Sequence, residues 1–214
     1  VADDLNLARC EYNAALAAGR TPIFVGGTGY YINAIINGIS PMPDIDDVVR
    51  RRARELVVND IDAARRMLPA EFTATDPQRV ARAVEVFLQT GRHITEFQSA
   101  PRTGAIAHDA FKILINPPLN VLRDRISARI PKMLSGGAAV EGRAVIDAKW
   151  DARRAIGAAQ MVAYLRGEID MDTCIQNWIT KTNQYAKRQR TWFRTQFAAD
   201  IILDNSDGPV TDYR

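Results

Sequence analysis

The stretch Lys181–Arg194, KTNQYAKRQRTWFR, carries five basic residues and no acidic one. Residues 173–199 as a whole contain no acidic residue, and Tyr185, Trp192 and Phe193 lie between the basic ones. Basic side chains contact phosphates, and aromatic rings can stack on exposed bases. The pattern favours nucleic-acid binding, although the same aromatic rings would serve equally well as core anchors of a plain basic helix.

Arg125 and Arg129 form a second candidate, because a spacing of four residues places both on one face of a helix. Two guanidinium groups on one face can clamp a diphosphate, since each offers a rigid fork of donors. A solvated basic face explains the pair equally well.

The third candidate is the turn Gly26-Gly27-Thr28-Gly29, which follows a predicted buried strand, Pro22–Val25, and precedes a predicted helix. The turn lacks the G-x-x-x-x-G-K-[ST] pattern of a phosphate-binding loop, and the chain contains no Gly-Lys pair. One interpretation is a tight turn whose glycines need positive φ. The alternative is that backbone amides and the Thr28 hydroxyl contact an anionic or polar ligand.

The fourth candidate, DPQRVAR, opens the clearest predicted helix of the chain. Asp76 suits the N-cap, Pro77 suits the first helical position, and Gly91 ends the helix. Arg79 and Arg82 then lie on the face opposite the apolar stripe of Val80, Val84, Phe87 and Leu88. That face suits phosphate contacts, or simply solvent.

The elements that must position these residues alternate between helix and strand, which indicates an α/β fold. Pro131 lies inside one predicted helix, where it should kink the helix or remove a hydrogen bond. Three short strands are too few for an independent doubly wound sheet. In the first half of the chain, the other predicted elements are a helix ending at Ala18-Gly19, a helix over about Tyr30 to Asn37, a linker over Asn37 to Asp47, two helices between Val48 and Leu68, and an irregular segment over His93 to Ala110.

In the second half, the predicted elements are a strand in Phe111 to Pro118, the helix that contains Pro131, a helix over about Ala155 to Arg166, a helix over Met171 to Phe197, and a strand over Asp200 to Asp204. The helix that contains Pro131 is predicted to bury its apolar residues, which are Leu122, Ile126, Ile130, Met133 and Leu134.

The composition argues against a disulfide-stapled protein, a zinc site built on cysteines and a membrane-spanning protein. The chain has 214 residues, 47% hydrophobic and 25% charged, with a net charge of +3, so nucleic-acid binding must come from local clusters. The two cysteines, Cys10 and Cys174, show neither disulfide nor zinc spacing and are predicted to be buried. The two histidines, His93 and His108, are predicted to lie on the surface. The sequence contains no run of about 18 apolar residues, so no membrane-spanning helix is predicted.

Several segments taken together resemble the bacterial tRNA dimethylallyltransferase family. These are VGGTGYY, DPQRVARAVEV, RAIG and above all QYAKRQRTWFR, in the family's order and at its intervals. The resemblance implies a P-loop NTPase-like three-layer α/β core with an all-helical insertion. Residues 1–39 and 108–214 match the core, which is incomplete here, and residues 40–107 match the insertion that binds tRNA.

The reaction that the resemblance implies transfers a dimethylallyl group from dimethylallyl diphosphate to N6 of an adenosine. That adenosine lies just 3′ of the anticodon in tRNAs that read codons beginning with U. Mg²⁺ assists the departing diphosphate, and the adenosine must leave its stack. The family further implies a cytoplasmic, monomeric enzyme with the tRNA anticodon stem-loop as its partner and no membrane.

The family's functional positions map onto this chain by motif. Arg129, with Arg125 one turn before it, is implied to engage the diphosphate. The positions implied to contact tRNA are Thr28, Arg50, Asp76, Pro77, Gln78, Arg79, Arg82, Lys187, Arg188, Gln189, Arg190 and Arg194.

The family's phosphate-binding loop and its proton-accepting aspartate precede the glycine turn, and neither occurs in this sequence. We therefore expect the 214-residue chain alone not to catalyse the reaction. Two alternatives are a non-catalytic RNA-binding module and a nucleotide kinase relative without an RNA partner. The acid-free basic stretch argues against the kinase, because it predicts strongly salt-dependent RNA binding.

Overall fold

The computed structural model describes residues 2–107 and 109–204, which form an α/β fold that is mostly helical. Contacts divide these residues into two compact units, the first holding residues 2–24, 30–107 and 109 and the second holding residues 25–29 and 110–204. The helices are α1 Ala2–Ala17, α2 Gly29–Asn37, α3 Asp47–Asn59, α4 Ile61–Arg66, α5 Pro77–Thr90, α6 Ile94–Gln98, α7 Leu119–Met133, α8 Ala139–Asp147, α9 Ala158–Leu165 and α10 Met171–Gln196, and the strands are β1 Ile113–Ile115 and β2 Ile201–Leu203.

The core of the first unit forms where α5 packs against α3 and α4. Val80 and Val84 on α5 are fully buried, as predicted, and they contact the group around Ala53 and Val57 of α3. Gly91 ends α5 with φ of 71°, the left-handed conformation that glycine adopts without steric cost. The predicted boundaries of this helix are confirmed, because its cap residues and its apolar stripe agree.

A second cluster in the first unit joins α1, α2 and the chain around Ile106. Leu5 and Ala34 are buried there, and Ala8 and Tyr12 pack against them at the predicted helical spacing. The predicted irregular segment after His93 contains the short helix α6, which sequence reasoning missed. Glu96 explains its start, since its carboxylate accepts a hydrogen bond from the His93 backbone N–H at 2.9 Å.

The described residues form one two-stranded sheet, which lies in the second unit. Its strands β1 and β2 pair in parallel, with Ile113 opposite Ile201. The core lies where α10 packs with α7 and α9. It is built on Ile130, Met161, Cys174 and Trp178, all of which are buried. Both strands and the long helix α10 lie where the sequence predicted them.

Pro131 does not end α7, which continues to Met133. A π-helical turn, Leu134–Ala138, follows at once, with Gly137 at φ of 108°. The irregular backbone therefore lies after the proline, while Ile130 beside it stays buried. Met133, predicted to point inward, is exposed because the turn changes the direction of the chain there, and α8 beyond it was not predicted.

The predicted strand over residues 22–25 and the predicted burial of Cys10 are both wrong. The segment 22–25 is not a strand, and Ile23 and Val25 are 81% and 93% exposed rather than buried. A strand requires a neighbour for its backbone hydrogen bonds, and none of the described segments pairs with these residues. Cys10 is also exposed, because it lies on the outer face of α1, whereas Cys174 is buried as predicted.

Within the described residues, no helix is both long and apolar enough to cross a membrane.

Candidate functional site

The first unit places the DPQR residues at the N-terminal end of α5. The Asp76 carboxylate accepts hydrogen bonds from the backbone N–H groups of Gln78 and Arg79, both at 3.1 Å. Pro77 occupies the first turn, where its missing N–H costs nothing. Asp76 and Pro77 thus fix the helix start, and the side chains of Gln78 and Arg79 remain exposed for a ligand.

A cavity of about 560 Å³ opens at this end of α5. Arg79 and Arg82 supply positive charge to its wall, while Asp76 and Glu71 supply negative charge. Such a lining suits a group that carries phosphate oxygens together with hydrogen-bond donors. Its lining residues are Glu71, Phe72, Thr73, Ala74, Asp76, Gln78, Arg79, Arg82, Ile94, Thr95 and Gln98.

Glu85, one turn beyond Arg82 on α5, was missed by sequence reasoning. It is only 5% exposed, and it is the buried charged residue of the described chain. Its Oε2 accepts a hydrogen bond from Nη1 of Arg82 at 3.2 Å, and its Oε1 lies 3.7 Å from Nε of Arg54 on α3. The sequence did contain a signal for this burial. Glu85 is four residues after Ala81 and three before Leu88, which places an acid on the inward face of the helix.

Arg50 lies in the first turn of α3 and is engaged locally. Its Nη1 donates to Oδ1 of Asp47 at 2.6 Å, and its Nη2 donates to the Ile45 carbonyl at 3.2 Å. The side chain is 39% exposed, so donors remain available to a ligand. Its contact with tRNA stays a prediction.

In the second unit the glycine turn packs against α10. Nε2 of Gln189 donates to the Gly27 carbonyl at 2.7 Å. A Cβ built on Gly29 would lie 2.1 Å from Cε3 of Trp192, and one on Gly27 would lie 2.5 Å from Nε2 of Gln189. The predicted reason for these glycines was wrong, because neither has positive φ. Gly29 is a glycine because the rigid Trp192 ring of α10 lies too close for a side chain, whereas the atoms near Gly27 belong to the flexible end of Gln189.

Thr28 lies between these two contacts with its side chain exposed. The backbone on one side of it is held by Gln189, and the backbone on the other side lies against the Trp192 ring. Its hydroxyl is therefore presented from a turn that α10 fixes in place.

The basic stretch of α10 divides into residues that face outward and residues that bind the protein itself. Lys187, Arg188 and Arg194 are exposed. Arg190 donates to the Pro117 carbonyl just before α7, and Gln189 is bonded to the glycine turn. The outward residues are available to phosphates, whereas Gln189 and Arg190 hold the neighbouring loops, and a direct tRNA contact for these two stays a prediction.

Arg125 and Arg129 lie on the exposed face of α7 one turn apart, as their spacing predicted. Arg190 is bonded to the carbonyl of Pro117, and Pro118 is the N-cap of the same helix. The structure therefore connects the basic helix to the start of the arginine helix within one unit.

The titratable groups exclude some chemistry. Burial raises the pKa of the Cys174 thiol, which disfavours a thiolate nucleophile. His93, predicted to have an ordinary surface role, is partly buried and stacks on the apolar face of Phe87 with ring centroids 4.9 Å apart. His108 lies outside the described residues. Across residues 2–107 and 109–204, no group of three or more His, Cys, Asp or Glu is placed to hold a metal ion.

Comparison with known proteins gives a consistent result. Residues 2–196 match the family model described as IPP transferase. The chain is 41% identical over 199 residues to the tRNA dimethylallyltransferase of Acidiphilium cryptum (strain JF-5), covering 87% of this chain and 61% of that protein. It is 40% identical over 201 residues to that of Zymomonas mobilis subsp. mobilis (strain ATCC 31821 / ZM4 / CP4), covering 89% of this chain and 64% of that protein. The chain thus spans less than two thirds of the length of these relatives.

The crystal structure of the full-length tRNA isopentenylpyrophosphate transferase from Bacillus halodurans is also similar. It superposes with a TM-score of 0.62 at 27% sequence identity, covering 98% of this chain and 68% of that one.

Proposed function

The chain belongs to the IPP transferase family, and on this basis we propose that the whole protein is a tRNA dimethylallyltransferase. The reaction transfers the dimethylallyl group from dimethylallyl diphosphate to N6 of the adenosine 3′ of the anticodon, in tRNAs that read codons beginning with U. The observation that carries the proposal is about 40% identity to curated relatives of that name over most of this chain.

The proposed fold is correspondingly more specific than the α/β class. We propose that β1 and β2 belong to a P-loop-type three-layer core, and that residues 40–107 form a tRNA-binding helical insertion. The parallel pairing of the two strands supports the first part, since parallel strands belong to sheets covered by helices on both faces. The succession of α3 to α6 supports the second.

In the reaction, the adenosine N6 forms a bond to C1 of the dimethylallyl group while the bond from C1 to the diphosphate oxygen breaks. Negative charge accumulates on the departing diphosphate, and fixed positive groups stabilise it. Arg129 and Arg125 are proposed for this role because they are exposed on one face of α7. N6 also loses a proton, which a general base of the whole protein takes up.

We propose that Mg²⁺ binds together with the diphosphate and assists its departure. Mg²⁺ is commonly held by substrate phosphates together with one or two carboxylates. We propose that Arg125 and Arg129 share the neutralisation of the diphosphate charge with this ion.

Binding of the anticodon stem-loop is proposed for two surfaces. One is the exposed set Thr28, Lys187, Arg188 and Arg194 of the second unit. The other is the cavity at the start of α5, with Gln78, Arg79 and Arg82 in its wall. Both offer side chains that contact phosphates, and such contacts make affinity fall as salt rises. We propose that the protein acts on tRNA as a monomer in the cytoplasm.

The whole protein, incubated with dimethylallyl diphosphate and an anticodon stem-loop, is expected to prenylate the RNA, as mass spectrometry of the nucleosides would show. A stem-loop with inosine at the target position is the matched control, because inosine lacks the exocyclic amine and should give no product. The 214-residue chain alone is expected to give none with either RNA. Salt-dependent binding without product from the whole protein would instead establish an RNA-binding module.

A further inference from the structure

We propose that Glu85 is a positioning residue for RNA binding, and that it acts by holding the guanidinium group of Arg82 in the wall of the cavity at the start of α5. The inference rests on the proposed RNA-binding function. It assigns a role to a buried acid that makes no contact with a ligand itself.

The burial of Glu85 needs an explanation. Its neighbours on α5 include the buried Ala81 and Val84, which belong to the apolar core. A carboxylate removed from water loses its hydration, and a hydrophobic residue of similar size is often at least as stable there. Core packing alone therefore does not favour an acid at this position.

The geometry supplies the explanation. Each oxygen of the Glu85 carboxylate faces a different arginine, Oε2 facing Arg82 on α5 and Oε1 facing Arg54 on α3. The carboxylate thus accepts a hydrogen bond from Arg82 and lies within ion-pair distance of Arg54, whose side chain is mostly exposed. A long arginine side chain otherwise samples many rotamers, and fixing it beforehand removes that entropic cost from binding.

The charges leave the cluster attractive to RNA. Arg54 and Arg82 carry two positive charges against one negative charge on Glu85, so the group keeps a net positive charge. The Arg82 side chain is 39% exposed and lines the cavity. Since a guanidinium has five N–H donors and Glu85 engages Nη1, the remaining donors can bind a phosphate.

The sign of one substitution separates positioning from simple charge. Glu85→Gln removes a negative charge, which by long-range electrostatics alone should strengthen binding to a polyanion. Loss of positioning should weaken it. We expect the positioning effect to dominate, with the Kd for an anticodon stem-loop rising roughly threefold to tenfold, which corresponds to the ordering cost of one long side chain at an interface.

The experiment measures this Kd by titration for the whole protein at fixed salt. Glu96→Gln is the matched control, because Glu96 also pairs with an arginine, Arg92 at 3.0 Å, but is exposed and does not line the cavity. The control should bind RNA as the wild type does, or slightly more tightly. Glu85→Gln binding RNA more tightly than the wild type would overturn the proposal.

A double-mutant cycle excludes a merely structural role. If Glu85 acts through Arg82, Glu85→Gln should have no further effect on the Kd once Arg82 is alanine. Equal effects of Glu85→Gln in both backgrounds would mean general damage to the fold and would overturn the proposal.

If the Glu85→Gln protein does not fold, the Arg82→Ala variant alone still tests whether Arg82 contributes to RNA binding. It should weaken RNA binding and reduce the slope of log Kd against log salt by about 1. Unchanged binding would leave nothing for Glu85 to position and would overturn the proposal. A wild-type protein that binds no RNA would instead overturn the proposed function, so the two failures are distinguishable.

Discussion

The N-terminal end of α5 and the glycine turn before α2 both present predicted RNA-binding side chains, yet different forces hold them. At α5, the Asp76 carboxylate bonds to backbone groups two and three residues later. At the glycine turn, the Gly27 carbonyl bonds to Gln189, 162 residues away in sequence. The first site is assembled by local chemistry and the second by tertiary packing.

This difference explains why a particular residue type is required at each site. Asp76 is an N-cap because its carboxylate satisfies N–H groups that a helix start leaves unpaired. Gly29 has no such local reason, since its φ is not positive and it begins a helix, where alanine would be favoured. Its reason is the Trp192 ring, which occupies the space of a side chain.

The largest effect is expected for Gly29→Ala. A Cβ 2.1 Å from a rigid indole ring forces the turn and α10 apart, and overpacking of this kind costs about 1–3 kcal/mol or more. Urea denaturation should show this loss in the free energy of unfolding. Gly136→Ala is the matched control, because nothing lies within 4 Å of its added Cβ, and it should be neutral or slightly stabilising. Equal stability of the two variants would contradict the packing argument.

An intermediate effect is expected for Asp76→Ala, which removes the acceptor for two backbone N–H groups. Loss of such a cap costs about 1 kcal/mol, within a range of about 0.5–2. Asp46→Ala is the control, since Asp46 occupies the N-cap of α3 without a side-chain hydrogen bond. The midpoints of thermal unfolding should separate the two variants, and similar midpoints would show that the cap at α5 contributes little.

The smallest effect concerns Asp170, the N-cap of α10. The Thr173 backbone N–H, which donates to its carboxylate at 2.7 Å, lowers the pKa of Asp170. The ionised cap therefore stabilises the fold above about pH 4, the pKa of an unfolded aspartate, and this contribution disappears as pH falls through the lower folded pKa. The difference in Tm between wild type and Asp170→Asn should shrink over that interval. A difference independent of pH would exclude the ionised cap as its cause.

Much of the fold was predictable because the signals were local. The caps and the apolar stripe predicted α5, and the same periodicity predicted α10 over nearly its whole length. The predictions failed where the deciding partner is distant or absent. Residues 22–25 have the composition of a buried strand, but a strand also needs a neighbour, and none pairs with them here.

The candidate site follows the same rule. The exposure of Lys187, Arg188 and Arg194 agrees with the basic stretch that the sequence predicted to contact phosphates. The internal bonds of Gln189 and Arg190 do not, because their acceptors belong to loops far away in sequence. Glu85 was likewise overlooked, since its second arginine comes from α3.

The sequence by itself determined the start and end of α5, most of α10 and the family, because these depend on residues a few positions apart or on motifs in fixed order. Only the tertiary structure decided that Gly29 is obligatory, that Gln189 and Arg190 bond to loops of the protein itself, and that Glu85 is buried beside two arginines. The physical reason is that steric exclusion and desolvation depend on what lies next to a group in space, and sequence spacing does not report that for partners on different elements.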